Sequence, residues 1–302
     1  NPRLLDRRTP DFLRRGYRTR SEPKPTNEDV GKQGLPKIVT LLFVFSPKLK
    51  FLINRFLPPM VKTNRHLFSP TVPTCCVTID IDTTDYYRDI HGLDRADRSG
   101  APDPAFTIGV RRCLSFFNDL DIPVTLFVIG ETLGKVRHQY YVERAHKNGH
   151  EIANHTWSHP YNLTDLSPRR QLQELKRADE QIQETIESDD IPRGFRAPGY
   201  NVGAETLHIC TELGYDYDSS ILPSPPYYLA KQLIMLFQEW AGRPSRSATV
   251  PIRNAFSPKP PYYVDPSEIW KPVAPEHSQL IEIPMAVTPG LRVPVIGTSL
   301  HL

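Results

Sequence analysis

Short strand-like and helix-like segments alternate along residues 75–287, and this alternation restricts the chain to a small set of folds. The predicted strands are 75–82, 122–130, 150–156, 194–200, 215–220 and 280–287. The predicted helices between them are 106–119, 138–148, a segment that begins at Ser167-Pro168, and 203–213. Strands that alternate with helices at this spacing indicate a parallel α/β architecture, either a barrel or an open sheet.

The helix that begins at Ser167-Pro168 has strong local signals. Serine is a favoured N-cap residue, and proline is favoured at the first helical position because its missing N–H would have no partner there. The apolar residues on one face of this segment are Leu172, Leu175, Ile182 and Ile186. Their spacing predicts an amphipathic helix.

Charge is divided unevenly along the chain. Residues 1–72 contain 15 Lys/Arg and 5 Asp/Glu and show no periodicity, whereas the rest of the chain is net acidic. A basic, proline- and arginine-rich segment of this kind is predicted to be largely disordered. We therefore divide the chain into an N-terminal extension, 1–72, with a short apolar helical segment at 38–59, and an α/β domain, 73–302.

The apolar run IVTLLFVF at 38–45 is too short to span a bilayer. Together with its basic neighbours, the segment at 38–59 is compatible with peripheral contact at a membrane surface. No small-residue cleavage site of the kind that ends a signal peptide follows it. These features predict a location in the cytoplasm or on the cytoplasmic face of the membrane.

Two acids lie at the end of the first predicted strand, in the run VTIDIDTT. Asp80 and Asp82 alternate with Ile79 and Ile81. A carboxylate carried into a core costs several kcal/mol unless it is paired or holds a metal, whereas on a solvated strand it costs nothing. In parallel α/β proteins, functional residues collect at the carboxyl ends of strands. Asp80 and Asp82 are therefore candidate site residues.

The run ANHTWSHP places His155 and His159 four residues apart. At that spacing two imidazoles would lie on one face of a helical turn, close enough to share a metal ion. The zinc-protease pattern requires Glu after the first histidine, and Thr156 stands there instead. A catalytic zinc usually has three protein ligands, so an acid of the first strand is the candidate third ligand. The plainer alternative is two surface histidines near a loop.

The run GFRAPGYN adds a cation and a tight turn at the end of another strand. Arg196 could pair with a carboxylate at the same edge of the sheet and keep it ionised. The alternatives are a surface charge beside a proline turn and, for Gly199, a purely conformational role.

In order and spacing, IDID, HTWSH, RAPGYN and YDYDSS resemble the motifs of the polysaccharide deacetylases, also called carbohydrate esterase family 4 or the NodB-homology domain. The resemblance covers about residues 74–302. Most members of the family have two adjacent aspartates in the first motif. This chain has Asp80-Ile81-Asp82 there instead, which is similar to the intracellular and lipid-linked-sugar branch of the family. The implied fold is a distorted (β/α)7-type parallel barrel. The family's last motif, Leu-x-x-His, is not clearly present, and only His301 lies near the end, so we expect the barrel to lack its last strand and helix.

The implied activity is metal-dependent hydrolysis. The resemblance implies removal of an N-acyl group, acetyl or formyl, from an amino sugar in a polysaccharide, lipid-linked or nucleotide-linked glycan. It implies Asp82, His155 and His159 as ligands of a divalent metal, most simply zinc, with cobalt or manganese as alternatives. The expected partner is a glycan substrate, and nucleic acid is not expected.

The resemblance also implies catalytic roles. Asp80 would be the general base, Arg196 would orient it, and Asp218 would tune a catalytic histidine. The oxyanion hole and substrate-binding turn would comprise Pro198, Gly199 and the backbone N–H of Tyr200. Aromatic residues that could stack on sugar rings, or could simply belong to the core, are Tyr86, Tyr87, Trp157, Tyr200, Tyr227 and Tyr228.

Two other functions are compatible with part of the sequence. Asp80-Ile81-Asp82-Thr83-Thr84 also fits the first motif of haloacid-dehalogenase-type phosphatases, with Asp80 as nucleophile, Asp82 as general acid and magnesium as the ion. That interpretation leaves HTWSH and RAPGY unexplained. The second alternative is an inactive, glycan-binding fragment of the deacetylase fold.

Overall fold

The computed structural model describes residues 75–90, 103–189, 192–240 and 250–297. The predicted N-terminal extension, with its apolar segment at 38–59, lies outside the described residues, and so does His301. The division into domains therefore stays a prediction.

The strands of the described residues form one mostly parallel sheet. They are β1 Thr78–Ile81, β2 Thr125–Val128, β3 Glu151–Asn154, β4 Gly194–Phe195, β5 Tyr217–Asp218, β6 Tyr262–Val264, β7 Pro272–Val273 and β8 Ile281–Glu282. The strand order is β1-β2-β3-β4-β5-β8-β6-β7. Strands β1 to β5 and β8 pair in parallel, which confirms the predicted parallel α/β class. The antiparallel edge formed by β6 and β7 was not predicted.

The sheet is open within the described residues. Its two edges are β1 and β7. A closed barrel would join them through further strand pairing. The parallel core of the predicted barrel is therefore present, while the loss of a last strand and helix stays a prediction.

Helices follow most of the strands. They are α1 Thr84–Ile90, α2 Arg111–Asp119, α3 Val136–Lys147, α4 Pro168–Ile186, α5 Ala204–Leu213 and α6 Pro225–Trp240. A π-helical stretch, Ala105–Val110, leads into α2. The 3-10 turns are Gly130–Gly134, Leu163–Asp165, Pro198–Tyr200, Ile252–Phe256, Pro266–Glu268 and Pro275–His277. Within the described residues, no helix combines the length and the apolar character needed to span a membrane.

The start of α4 confirms the Ser167-Pro168 signal. Ser167 is the N-cap residue and Pro168 opens the helix, although the serine side chain forms no capping bond. The carbonyl of Ser167 instead accepts the first helical hydrogen bonds, from the amides of Arg170 and Gln171. Leu175 and Ile182 are fully buried, as the amphipathic pattern predicts.

Two apolar clusters fix the strands that carry the candidate site. One contains Phe106, Leu126 and Ile182. The other contains Phe195 and Leu207. Close packing of this kind tolerates little movement, so the carboxyl ends of the strands are held in place by the core behind them.

Candidate active site

The predicted site residues collect at the carboxyl end of the parallel sheet. Asp80 lies within β1, His155 directly follows β3, Arg196 directly follows β4, and Asp218 ends β5. Because these strands are parallel and β1 to β5 are consecutive in the sheet, their carboxyl ends share one edge.

Asp82, His155 and His159 form a compact set of possible metal ligands. Asp82 Oδ1 lies 3.6 Å from His155 Nε2 and 3.4 Å from His159 Nε2. One ligand atom of each residue lies within 4.8 Å of the others. Asp82 Oδ1 is buried with no hydrogen-bond partner among the described residues. Ligands about 2.1 Å from a tetrahedral zinc ion are about 3.4 Å apart, so this set fits a divalent cation.

The tautomer of His155 follows from its hydrogen bond. Its Nδ1 lies 2.6 Å from the carbonyl oxygen of Arg196, so Nδ1–H donates and the lone pair of Nε2 faces Asp82. Burial lowers the pKa of His155, and it lowers the pKa of His159 to about 4. Both imidazoles are therefore neutral near pH 7, which is the form that binds a metal.

The HTWSH segment, 155–159, is not the helical turn that the histidine spacing suggested. Thr156 and His159 have positive φ angles of 66° and 57°. The turn is held by hydrogen bonds from the Thr156 amide to Asn154 Oδ1, 2.6 Å, and from the His159 amide to Thr156 Oγ1, 3.1 Å. Glu174 on α4 accepts hydrogen bonds from the amide and the hydroxyl of Ser158. The two imidazoles converge through this strained, well-anchored turn.

Arg196 is buried and pairs with Asp80. Its Nη1 donates to Asp80 Oδ1 at 2.6 Å, and its Nη2 donates to Thr78 Oγ1 at 3.0 Å. Its Nε and Nη2 donate to the carbonyl and hydroxyl of Ser219, each at 2.8 Å. The guanidinium also lies 4.1 Å from the ring centre of Phe127. Arg196 is 4% exposed, which rules out the alternative of a surface charge.

The two carboxyl groups of VTIDIDTT have opposite environments. Burial alone would raise the pKa of Asp80, but the charge and hydrogen bond of Arg196 outweigh it, and the pKa is lowered. Burial raises the pKa of Asp82 to about 6, with the imidazole of His155 opposing this and the charge of Asp80 adding to it. A pair of acids whose environments separate their pKa values is suited to two different roles.

The RAPGY turn, 196–200, has the conformation that its glycine suggested. Pro198 is buried, and Gly199 has a φ of 59°. A Cβ at Gly199 would also lie 3.2 Å from the Tyr161 ring. Glycine therefore both permits the positive φ angle and leaves room for the Tyr161 side chain. The Tyr200 amide donates to the Ala197 carbonyl at 3.1 Å. Its predicted role in an oxyanion hole therefore requires this hydrogen bond to be shared or exchanged.

Asp218 lies beside a second buried acid. In the sheet it is directly paired with Glu282 of β8, and both residues are 0% exposed. Ser220 Oγ donates to Asp218 Oδ1 at 2.5 Å and accepts from the Ala197 amide at 2.8 Å. Within the described residues, Asp218 thus supports the RAPGY turn. Its predicted role in tuning a histidine stays a prediction.

The Asp218–Glu282 pair predicts an unusual pH dependence of stability. Burial raises the pKa of Glu282 well above its ordinary value of 4.5, and the charge of Asp218 adds to this. The folded chain then retains a proton that the unfolded chain releases, so stability falls as pH rises from about 4.5 toward the folded pKa. One proton corresponds to about 1.4 kcal/mol per pH unit.

We expect Glu282→Gln to remove most of this slope, because glutamine mimics the protonated acid. The measurement is the free energy of unfolding in urea from pH 5 to pH 8, compared with the surface variant Glu276→Gln. Equal slopes in wild type and Glu282→Gln would show that Glu282 carries no retained proton.

A cleft with aromatic walls adjoins the metal-ligand set. Its volume is about 390 Å³, and its lining includes Tyr86, His159 and Tyr161. The rings of Tyr86 and Tyr161 lie 5.1 Å and 4.6 Å from the His159 ring. Trp157, another predicted stacking residue, instead has Arg177 3.7 Å from its ring centre. The cleft can therefore present aromatic surface beside His159.

Sequence reasoning missed the residues that support the site from behind. Thr78, Ser219, Ser220, Glu174 and Glu282 each bond to or pair with a predicted site residue or its turn. Thr78 could have been found, because it precedes Asp80 by two residues and shares its strand face. Glu282 lies 64 positions after Asp218 and gave no local signal.

Part of the chain is similar to proteins of a known family. Residues 103–217 match the polysaccharide deacetylase family model. No curated protein matched. A candidate polysaccharide deacetylase from Mycobacterium smegmatis is 22% identical with a TM-score of 0.46, and the match covers 70% of this chain and 58% of that one.

Two further solved structures are more distant. A family 4 carbohydrate esterase from Streptomyces lividans in complex with acetate is 18% identical (TM-score 0.35, 48% of this chain and 60% of that one). A carbohydrate esterase family 4 pseudoenzyme from Bacillus anthracis is 16% identical (TM-score 0.37, 58% and 52%). The match spans between half and three fifths of the length of each of these structures. The family-model match includes HTWSH and RAPGY, and it confirms the resemblance of the segment 103–217 to the polysaccharide deacetylase family.

Proposed function

We propose that this chain hydrolyses the N-acyl group of an amino sugar with the help of a divalent cation held by Asp82, His155 and His159. The observation that carries the proposal is the difference in environment between Asp80, on β1, and Asp82, directly after β1. Asp80 is paired with a buried arginine, whereas Asp82 faces two neutral imidazoles. A general base beside a metal-ligand set is what metal-assisted amide hydrolysis requires.

The chemistry divides between the cation and the side chains. When bound, a divalent cation polarises the acyl carbonyl and makes a water molecule more acidic. Asp80 accepts the proton of that water, and Arg196 holds the carboxylate in place and ionised before the reaction. The oxygen of water adds to the carbonyl carbon and the C–N bond breaks. The departing nitrogen takes up the proton that Asp80 removed from water, which returns Asp80 to its ionised form, and the products are a carboxylate and an amine.

The aromatic cleft supports a sugar as the substrate. Tyr86 and Tyr161 border His159, and aromatic faces are suited to stacking on sugar rings. Within this proposal the acyl group is acetyl or formyl, and the sugar belongs to a polysaccharide, a lipid-linked glycan or a nucleotide-linked glycan. Zinc is the proposed ion, with cobalt or manganese as alternatives, and the cytoplasm or the cytoplasmic face of a membrane is the proposed location.

The phosphatase alternative receives no specific support. It would use Asp82 as a general acid, yet Asp82 faces His155 and His159, for which that mechanism has no role. In the alternative of an inactive glycan-binding fold the cleft would also bind a sugar, but the sugar would not be hydrolysed. Metal content and turnover together therefore separate the three functions.

We expect the purified chain to bind about one zinc ion and to release acetate or formate from an N-acylated glucosamine oligomer. His155→Ala should lose both properties, because it removes one of three ligands. His208→Ala, an exposed histidine on α5, is the matched control and should retain both. Metal content is measured by mass spectrometry and acid release by an enzymatic assay.

Two other outcomes have clear meanings. Zinc binding without release from either acetylated or formylated sugars would favour the inactive glycan-binding fold. Absence of zinc together with magnesium-dependent cleavage of a phosphate ester would overturn the deacylase proposal.

A further inference from the structure

Helix α6 presents its apolar side to solvent. The exposed residues of this stripe are Leu229, Leu233, Leu236, Phe237 and Trp240, from 59% to 83% exposed. They follow the i, i+4, i+7, i+8, i+11 spacing of a single helical face. A helix that packs on a soluble core normally turns such a stripe inward.

The opposite side of α6 is the one that faces the protein. Tyr228 is buried there, and Lys231, Met235 and Gln238 are half-buried. Burial lowers the pKa of Lys231. Lys231 and Gln238 on this inward side are polar, while the most apolar stripe of the helix faces solvent. The orientation of α6 is therefore the reverse of that of a helix packed on a core.

The exposed apolar surface continues beyond α6. Ile252 and Phe256, 65% and 64% exposed, lie on the 3-10 turn that packs against α6. Arg292 donates to the carbonyls of Ala255 and Ser257, which brings the 80% exposed Leu291 next to that turn. We call the α6 stripe together with Ile252, Phe256 and Leu291 the apolar face. A continuous exposed patch of this kind marks an interaction surface.

The charges around the apolar face are mostly basic. In 225–240, 250–264 and 284–297 the basic residues outside the inward side of α6 are Arg253, Lys259 and Arg292, and the acidic residues amount to Glu239 alone. The domain as a whole is net acidic, so this local excess stands out. Two copies of the face would repel each other, whereas an anionic surface would attract it.

We propose that the apolar face docks onto an anionic lipid bilayer, with α6 lying flat in the interface. An amphipathic helix with bulky apolar residues on one side and basic residues around them binds membranes in this way. Trp240 stands at the end of the stripe, and tryptophan is favoured at the boundary between lipid and water. This inference concerns a surface separate from the metal-ligand set and does not depend on the proposed hydrolysis.

The apolar face is connected to the candidate site through packing. The Tyr227 ring on α6 lies 6.1 Å from the Tyr200 ring of the RAPGY turn. Both side chains pack on the cluster that contains Leu222, Tyr228 and Met285. Docking would therefore bring the RAPGY turn close to the lipid headgroups.

The first test is sedimentation of the full chain with vesicles. We expect binding to vesicles of phosphatidylcholine with about 30% phosphatidylglycerol, weaker binding at high salt, and little binding to phosphatidylcholine alone. Leu233→Glu with Phe237→Glu should weaken binding at least tenfold. Val136→Glu with Tyr140→Glu adds the same charge at exposed positions of α3 and should bind like the wild type.

The second test identifies which segment enters the lipid. The tryptophans of the chain are Trp157, Trp240 and Trp270, so the basic extension 1–72 contributes none. Quenching of tryptophan fluorescence by brominated lipid should be strong in the wild type and mostly lost in Trp240→Phe.

Three results would overturn the proposal. Quenching that persists in Trp240→Phe, or full vesicle binding by the Leu233→Glu, Phe237→Glu variant, would assign lipid contact to another segment. A dimer by light scattering that the same variant converts to a monomer would assign the apolar face to self-association. Because none of these measurements uses turnover or metal, they are independent of the outcome for the proposed function.

Discussion

Asp80→Asn is expected to lower the rate of deacylation by about 10²- to 10⁴-fold, the usual contribution of a positioned general base. Asparagine can still accept the hydrogen bond of Arg196 through its amide oxygen, but it cannot take a proton from water. The side chain has nearly the same shape, so the strand and the cleft should be preserved. The rate constant is measured on an N-acylated glucosamine oligomer with zinc present.

The control for this variant is a substitution of Asp82, two residues further along the chain. Asp82→Asn should lose zinc and turnover together, because Asp82 faces both imidazoles. Asp80→Asn should lose turnover and retain zinc. If Asp80→Asn kept a rate within tenfold of the wild type, Asp80 would not be the base.

Topology alone predicted that the acids of the first strand, the two histidines and Arg196 would lie at one edge of the sheet. Strand-like runs ending in Asp80, His155 and Arg196 belong to one parallel sheet, and the carboxyl ends of parallel strands share an edge. Topology placed an acid of the first strand near His155 and His159, and the resemblance to the polysaccharide deacetylases is what singled out Asp82 as the expected ligand. The metal-ligand set of the structure contains the same three residues.

The local geometry of the site could not be predicted, because it depends on distant partners. The HTWSH turn uses positive φ angles at Thr156 and His159, and Glu174 on α4 anchors it. The neighbour of Asp218 in the sheet is Glu282, and the described residues between them include α6 and the antiparallel strands β6 and β7. Sequence spacing contains no information about such pairings.

Helix α6 was not predicted from the sequence, and the physical reason is different. Its apolar stripe follows helical spacing, but two prolines and two tyrosines open the segment and further apolar residues lie off the stripe. The usual assumption that apolar residues face inward would also have given it the wrong orientation. The spacing of apolar residues indicates a helical face, but it does not indicate whether that face is exposed to solvent.

Arg196→Met is expected to lower the free energy of unfolding by about 3 kcal/mol. This is the lower end of the effect of removing one partner from a buried ion pair, because Arg196 is buried but the Asp80 side chain is 27% exposed. The variant leaves Asp80 without its cation and removes the hydrogen bonds to Thr78 and Ser219. The free energy of unfolding of Arg196→Lys should lie between those of the wild type and Arg196→Met, because an ammonium keeps the charge but cannot reproduce the planar fork of the guanidinium. Urea unfolding with zinc present measures all three proteins.

A substitution of the Arg196 side chain should affect stability and turnover without affecting metal binding. His155 is oriented by the carbonyl of Arg196, and the substitution keeps that carbonyl. Zinc content should therefore stay near the wild-type level in Arg196→Met, while turnover falls because Asp80 is no longer held ionised. If the ion pair is the cause, the double variant with Asp80→Asn should be more stable than the sum of the two single effects predicts, by about 0.5–3 kcal/mol. Strict additivity would mean that Arg196 stabilises the fold through Thr78 and Ser219, and that its contact with Asp80 contributes little.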